Sequence, residues 1–319
     1  VGNRAWGSRG VLDLEWPIKR GIITNFDDME KIWDHVYDDL CVQSNEHGVL
    51  LTEPVLNPRE NRERMTEIMF EKYNAPGVYV ALEALLSLYA SGRTTGLVLT
   101  SGEETTSCVP FYEGSAVQHA IQRVDIGGKD VTDYLVKMFQ DRKEEYCNDR
   151  ELLRDVKEKL AYVAHDYYSQ MQLAAKTTEV VKHYELPEGF VLTLNDERFK
   201  CTEILFQPDL IGREECGIAE MCHNAAMKTS VDIREQLYRN ILLAGGNSLF
   251  PGLEERLQKE VWVYAPPDWK MQVLAPPGRK YSAWFGGSIF GSLTSTQPLW
   301  MLKEEYDEMG PKLVTHKCI

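Results

Sequence analysis

Apolar positions change their spacing repeatedly along this chain, and each change marks a different element. GVLDLEWPI (10–18) alternates apolar and polar residues and reads as a strand that meets Pro17. NFDDMEKIWDHVYDDL (25–40) puts Met29, Ile32, Trp33 and Val36 on one helical face. Asn25 is placed to cap it, and Asp27 and Asp28 suit the positive helix start. GVLLTEP (48–54) is a continuous apolar strand that runs into a turn. NPRENRERMTEIMFEKYN (57–74) predicts a helix capped by Asn57, with Pro58 in first position and Met65, Ile68 and Met69 packing. GVYVALEALLSLYASG (77–92) predicts another helix, closed by Gly92.

The second half continues the alternation. LVLTSGEETTSCVP (97–110) is written as strand, turn, strand. After GSAVQHAIQRVDIGG, a capped helix begins around Asp130–Leu135, and ELLRDVKEKLAYVAHDYY (151–168) reads as one long helix. ELPEGFVLTLNDERF (185–199) predicts two strands around turns. In 237–262 the strand Ile241-Leu242-Leu243 reaches Gly245-Gly246, a turn holds Pro251-Gly252, and a helix carries Leu253 and Leu257 on one side. WFGGSIFGSL (284–293) repeats the glycine pair before a helix. Strand–glycine–helix junctions of this kind predict the α/β class.

Composition narrows the function. The chain has 319 residues, 43% hydrophobic and 26% charged, which is enough for two domain-sized units. A net charge of −14 argues against direct nucleic-acid binding, which rests on basic side chains meeting phosphates, and against an anionic membrane surface. Seven cysteines form no C-x-x-C pair, and the Cys216, Cys222 and His223 cluster has no standard zinc spacing. Free thiols point to a reducing, intracellular compartment. No apolar stretch approaches the roughly 20 residues of a membrane span, and no signal peptide opens the chain. The sequence starts without an initiator Met, so a preceding segment is expected.

The candidate chemistry lies in the 97–110 turn. Ser101-Gly102 followed by hydroxyl residues suits a backbone cup for phosphate, but Glu103 and Glu104 would repel a polyphosphate. LVLTSG and LLAGGN echo one another, and two such turns facing each other would embrace one polyphosphate. Glycine after a strand otherwise marks tight packing or a bend.

Seven stretches in order resemble the actin family: TNFDDMEKIW, LLTEPVLNPRENRERMTEIMFE, YVALEALLSLYASGRTTG, RDVKEKLAYVA, LFQPDLIG, APPGRKYSAWFGGSI and HKCI. The similarity runs essentially end to end, entering the family pattern late. It implies that the first phosphate hairpin and the inter-subunit loop belong to a missing N-terminal part. It also implies an actin-like ATPase fold of the type shared with sugar kinases and chaperone ATPases. That fold has two lobes, each with a mixed five-stranded sheet, around a nucleotide cleft. The lobes are expected at 1–90 with 282–319, and at 91–281 with an outer subdomain at about 127–213. ATP or ADP, with Mg or Ca, is the implied cofactor. Family contacts to the base and sugar fall on Gly127, Lys157, Glu158, Gly246 and Lys280, with Gly245 beside them. Without the resemblance, KEKL is an ordinary solvated helix face.

The departures bear on turnover. Where the family turn reads Asp-Ser-Gly-Asp-Gly-Val-Thr, this chain has Thr100, Ser101, Gly102, Glu103, Glu104 and Thr105 at the first six positions. Thr100 removes the carboxylate that helps hold the hydrated cation, so no direct metal ligand is expected. Such a loss costs roughly 10–100-fold in metal affinity or activity. Glu104 replaces a glycine and would be strained if its site needs a positive φ. Glu83 stands for the family Gln near the attacking water, and Ser107 for a nearby His, so both read as degenerate catalytic positions. Arg20 replaces the family's modified His. A partner groove between the lobes is implied along Ala90, Gly92, Thr94, Ile289, Phe290 and Leu293, with His316 and Cys318 on the C-terminal partner surface.

The expected function is an actin-like cytoskeletal subunit of a filament or larger assembly, binding ATP or ADP with weakened hydrolysis. Its partners would be actin or like subunits and actin-binding or scaffold proteins. Cytoplasm and cytoskeleton, with the nucleus as a further setting, are the expected locations. Two alternatives stand beside it. One is a conventional polymerising ATPase. The other is a non-polymerising actin-related subunit of a motor or chromatin complex, suggested by the charged loop Arg213-Glu214-Glu215.

Overall fold

The computed structural model describes residues 1–8, 11–142, 149–186, 189 and 191–318, and the side chains of all these except 3, 4 and 6. Cys147, Ile319 and the middle of the 185–199 segment (187, 188 and 190) lie outside the described residues. The strands in chain order are β1 Ile18–Lys19, β2 Ile22–Ile23, β3 Val49–Glu53, β4 Gly77–Leu82, β5 Gly96–Ser101, β6 Thr106–Tyr112 and β7 Ser115–Ala116. They continue with β8 Gln122–Val124, β9 Lys182–Glu185, β10 Val191–Leu194, β11 Ile241–Ala244, β12 Val273–Leu274 and β13 Met301–Leu302. Two compact units result: Val1–Leu86 with Ala283–Ile319, and Ser87–Ser282.

In the first unit, β4 runs parallel to β3 and antiparallel to β13. Helix Arg59–Glu71 buries Met65, Ile68, Met69 and Phe70 beside β4. Phe70 stacks on Tyr306 at 4.5 Å, and Tyr79 on Phe290 at 4.7 Å. Several local expectations change here. The 77–92 helix divides into β4 and helix Glu83–Ala90, because Val78, Tyr79, Val80 and Ala81 are all buried between two partner strands. A short apolar run does not tell strand from helix by itself. Residues 11–17 do not form a strand: Val11 is 88% exposed and Trp16 62%, so the alternation has no core to face, and only Ile18–Lys19 pairs. Pro58, not Asn57, occupies the N-cap position of Arg59–Glu71, with no side-chain cap bond; the Asn57 amide donates instead to Glu53 at 3.0 Å. Asn25 does cap its helix, accepting from Asp28 N at 3.1 Å. The Gly286-Gly287 pair lies inside helix Ser282–Ser292 rather than before it, because a Cβ at Gly286 would overlap the Leu86 carbonyl.

The second unit is built on a mixed sheet in the order β12-β11-β5-β6-β7, with β8 also on β6. β12, β11 and β5 are mutually parallel neighbours, and β6 turns back antiparallel. β8 pairs with Thr106–Cys108 and β7 with Phe111–Tyr112. The sheet is therefore five positions wide, because two short strands share one edge. The first unit's sheet has three strands among the described residues rather than five. Residues 151–168 do not form one helix. It runs Arg150–Leu160, stops where Ala161 turns extended, and restarts as Tyr167–Lys176 with Asp166 capping Ser169 N at 2.9 Å. Helices Ile218–Met227 and Val231–Arg239 lie on β5 and β6, and Leu253–Tyr264 lies by β12. Their buried faces join Leu97, Leu99, Cys108, Ile241 and Leu243 in one core. No helix of the described residues is long and apolar enough to cross a membrane.

Candidate functional site

β5 and β11 are in parallel register, Leu99 beside Leu243 and Thr100 beside Ala244, so they end within one residue of each other. The turns that follow are therefore neighbours along one sheet end, not two jaws facing each other. The ends of adjacent parallel strands, where the chain leaves the sheet, are a standard location for a ligand.

The first turn is stitched in place by small hydroxyls. Gly102 N donates to Thr105 O at 2.9 Å and closes the hairpin. Ser101 and Thr106 share a hydroxyl bond of 2.8 Å, Thr106 donates to Ile126 O at 2.7 Å, and Asn247 donates to Ser101 at 2.9 Å. The start of helix Gly128–Asp141 is docked on the same turn: Gly128 N donates to Gly102 O at 2.9 Å and Lys129 N to Glu103 O at 2.7 Å. Two amides that a helix start leaves free are thereby used on the hairpin.

The glycines divide into two kinds. At Gly127 a Cβ would sit 2.6 Å from Glu103 O and 2.8 Å from Glu104 N, so glycine is needed for the hairpin to approach. Gly245 has φ 87° and a Cβ there would overlap Ser101 O, so it too serves turn-against-turn packing. Gly102 and Gly246 are different. The nearest atoms to a Cβ would be Thr105 O at 3.7 Å and the Lys280 stem at 3.7 Å. A side chain at either of these two would meet only ordinary van der Waals contact.

Charge is arranged around Gly128. Glu103 Oε2, Asn247 Oδ1 and Lys157 Nζ lie 3.1, 3.2 and 3.4 Å from where its Cβ would be. Lys157 is buried on the same face as Leu153, four residues earlier, and donates to Gly128 O at 2.8 Å. It is not part of a solvated face; Glu158 next to it is, and binds Arg154 at 3.1 Å. Burial pulls the Lys157 ammonium below the ordinary lysine range, and the Glu103 charge opposes that. Glu104 pairs with Lys129 at 3.0 Å, and its φ is not positive, so the expected strain and bare repulsion do not arise. Thr100 Oγ1 and Asn247 Oδ1 are buried with no hydrogen-bond partner among the described residues. Buried polar atoms are rarely left so, and a ligand or water is the usual answer.

The remaining expected positions separate. Lys280 is exposed and lays its stem along Gly246, with the ammonium 5.3 Å from the Tyr281 ring centre. Ser107 is buried opposite Thr100, between β5 and β8. Glu83 opens helix Glu83–Ala90 in the first unit. Ala90, Gly92 and Thr94 belong to the second unit and Ile289, Phe290 and Leu293 to the first. Ile289 and Leu293 are exposed, but Phe290 is a core residue under Tyr79 and does not line a surface. Cys318 is buried and accepts from Val80 N at 3.4 Å. His223 binds the Tyr238 hydroxyl at 2.7 Å.

Sequence reasoning missed Asn247 and Lys129. Asn247 directly follows the glycine pair, and an amide at that spot was the available signal. Among the described residues no three His, Cys, Asp or Glu converge as a metal site. The actin family model matches residues 1–319. With mixed sheets and helices arranged as above, the chain belongs to the actin family and has its ATPase-type fold.

Proposed function

We propose that this chain holds ATP or ADP at the ends of β5 and β11 and serves as a structural subunit of a filament or larger assembly, hydrolysing its nucleotide slowly. The observation that carries the reading is the pair of unpartnered buried acceptors, Thr100 Oγ1 and Asn247 Oδ1, near Gly102 and Gly246, which are not consumed by close backbone packing. Lys157 supplies a positive charge already desolvated, and Lys280 covers the other glycine. A divalent cation here is carried by the phosphates and water, since Thr100 gives no carboxylate. Phosphoryl transfer depends on positioning and charge, so Thr100, Glu83 and Ser107 together support slow turnover. Nucleotide bound only to the folded state then stabilises it by mass action.

The test is to denature purified protein and chromatograph what it releases. Stoichiometric ATP or ADP is expected, and its absence, together with a melting temperature indifferent to added ATP, overturns the reading. Turnover is tested separately with Glu83→Gln, which should raise phosphate release; wild-type release as fast as conventional actin's removes the claim of slow hydrolysis.

A non-polymerising subunit is the second reading, and one observation favours it. Arg213 and Glu215 form an ion pair at 3.5 Å in a loop the family pattern makes more apolar. Sedimentation after adding salt and Mg-ATP decides between them, because a filament pellets.

A further inference from the structure

Two buried thiols meet in the core of the second unit. The Cys108 thiol donates to Cys222 with the sulfurs 3.8 Å apart, and both residues are 0% exposed. Cys108 sits on β6, directly after Ser107 and two positions from Thr106, whose hydroxyl holds both Ser101 and Ile126. Cys222 sits on helix Ile218–Met227, which packs on β6. A disulfide has sulfurs about 2.05 Å apart, so the pair needs under about 2 Å of closure. Neither thiol takes part in the nucleotide site.

We propose that Cys108 and Cys222 are a latent dithiol that peroxide converts to an internal disulfide, locking β6 to helix Ile218–Met227. In the first step a thiolate attacks one oxygen of hydrogen peroxide. The O–O bond breaks, and the departing hydroxide takes a proton and leaves as water, giving a sulfenic acid. The second sulfur then attacks the sulfenic sulfur. The S–S bond forms, the S–O bond breaks, and the hydroxyl leaves as water with the second thiol's proton. Two thiols and one peroxide thus give one disulfide and two waters. Burial raises the Cys108 thiol, so the reaction waits on local opening of the helix and answers sustained rather than brief oxidant. The lock forms with or without nucleotide.

The test uses the full chain with exposed Cys41 changed to serine, which removes a thiol able to couple two copies. After peroxide, remaining thiols are alkylated and the protein is digested without reductant for mass mapping. The expected product is a monomer in which the peptides of Cys108 and Cys222 are joined. Its thermal midpoint is raised by roughly 5–10 °C, and the rise is reversed by reductant. Cys108→Ala removes both the link and the rise. Recovery of both cysteines as alkylated thiols after prolonged oxidation overturns the proposal, as does Cys222 joined to Cys216 instead. The map of the chain with both cysteines in place decides the matter even where Cys108→Ala folds poorly.

Discussion

The turn after β5 and the turn after β11 start within one residue of each other on neighbouring strands, yet they are built on opposite plans. The β5 turn is a closed hairpin that carries two carboxylates and is tied down by hydroxyls and by a helix start. The β11 turn has no charged side chain; it is a glycine pair and an asparagine running into the short helical turn Gly246–Leu249. Gly127, at the helix start docked on the β5 turn, and Gly245, in the β11 turn, let backbones touch, while Gly102 and Gly246, one in each turn, make no such close approach. Glycine in a turn is thus not one signal but two. The packed ones belong to folding, and under the proposed function the other two flank the nucleotide.

That division breaks most visibly at the β11 turn. Gly245→Ala must overlap Ser101 O and adopt a positive φ, and the expected cost is about 2–5 kcal/mol in denaturant unfolding. Gly246→Ala meets only the Lys280 stem at 3.7 Å; stability should stay within about 0.5 kcal/mol while retained nucleotide falls. Equal stability losses in the two variants would erase the distinction. Next in size is Lys157→Met, expected to weaken nucleotide retention about 10- to 100-fold by removing a desolvated donor.

At the β5 turn the test is one of masking. Lys129→Ala takes the Lys129 ammonium away from Glu104 and should lower nucleotide affinity by up to about 1 kcal/mol at low salt, an effect that added salt shrinks. Glu104→Gln in that background should restore affinity; no rescue would mean that the hairpin's charge never reached the ligand. The smallest effect is in pH. The Lys157 ammonium is depressed in the fold, so between its folded and unfolded values the unfolded chain binds more protons. Stability attributable to this group is therefore complete above the unfolded value and is lost as pH falls through the folded one. Alkaline melting curves of Lys157→Met should lack that rise.

How much of this was readable in advance depends on how local each cause is. The hairpin at 97–110 and the strand before Gly245-Gly246 were legible, because an apolar run and its turn residues lie side by side in sequence. So was the Asn25 cap, whose partner is three residues away. The burial of Lys157 was not, because its acceptor, Gly128 O, lies 29 residues off and only the fold brings it near. The neutralising of Glu104 by Lys129 spans 25 residues and was hidden for the same reason. β4 was hidden differently: an unbroken apolar stretch carries no period to choose by, and its flanking strands decide. Phe290 was misplaced because the spacing that marks a groove also marks the core beneath it.

Pro110 lies where β6 passes from β8 to β7 on its outer edge. It has no amide hydrogen and its carbonyl already accepts from Val117 N at 2.9 Å, so it offers nothing to a foreign strand, and the strands on either side of it are only three and two residues long. The opposite margin, β12, is two residues. Neither border of this sheet gives a neighbour enough backbone to zip onto.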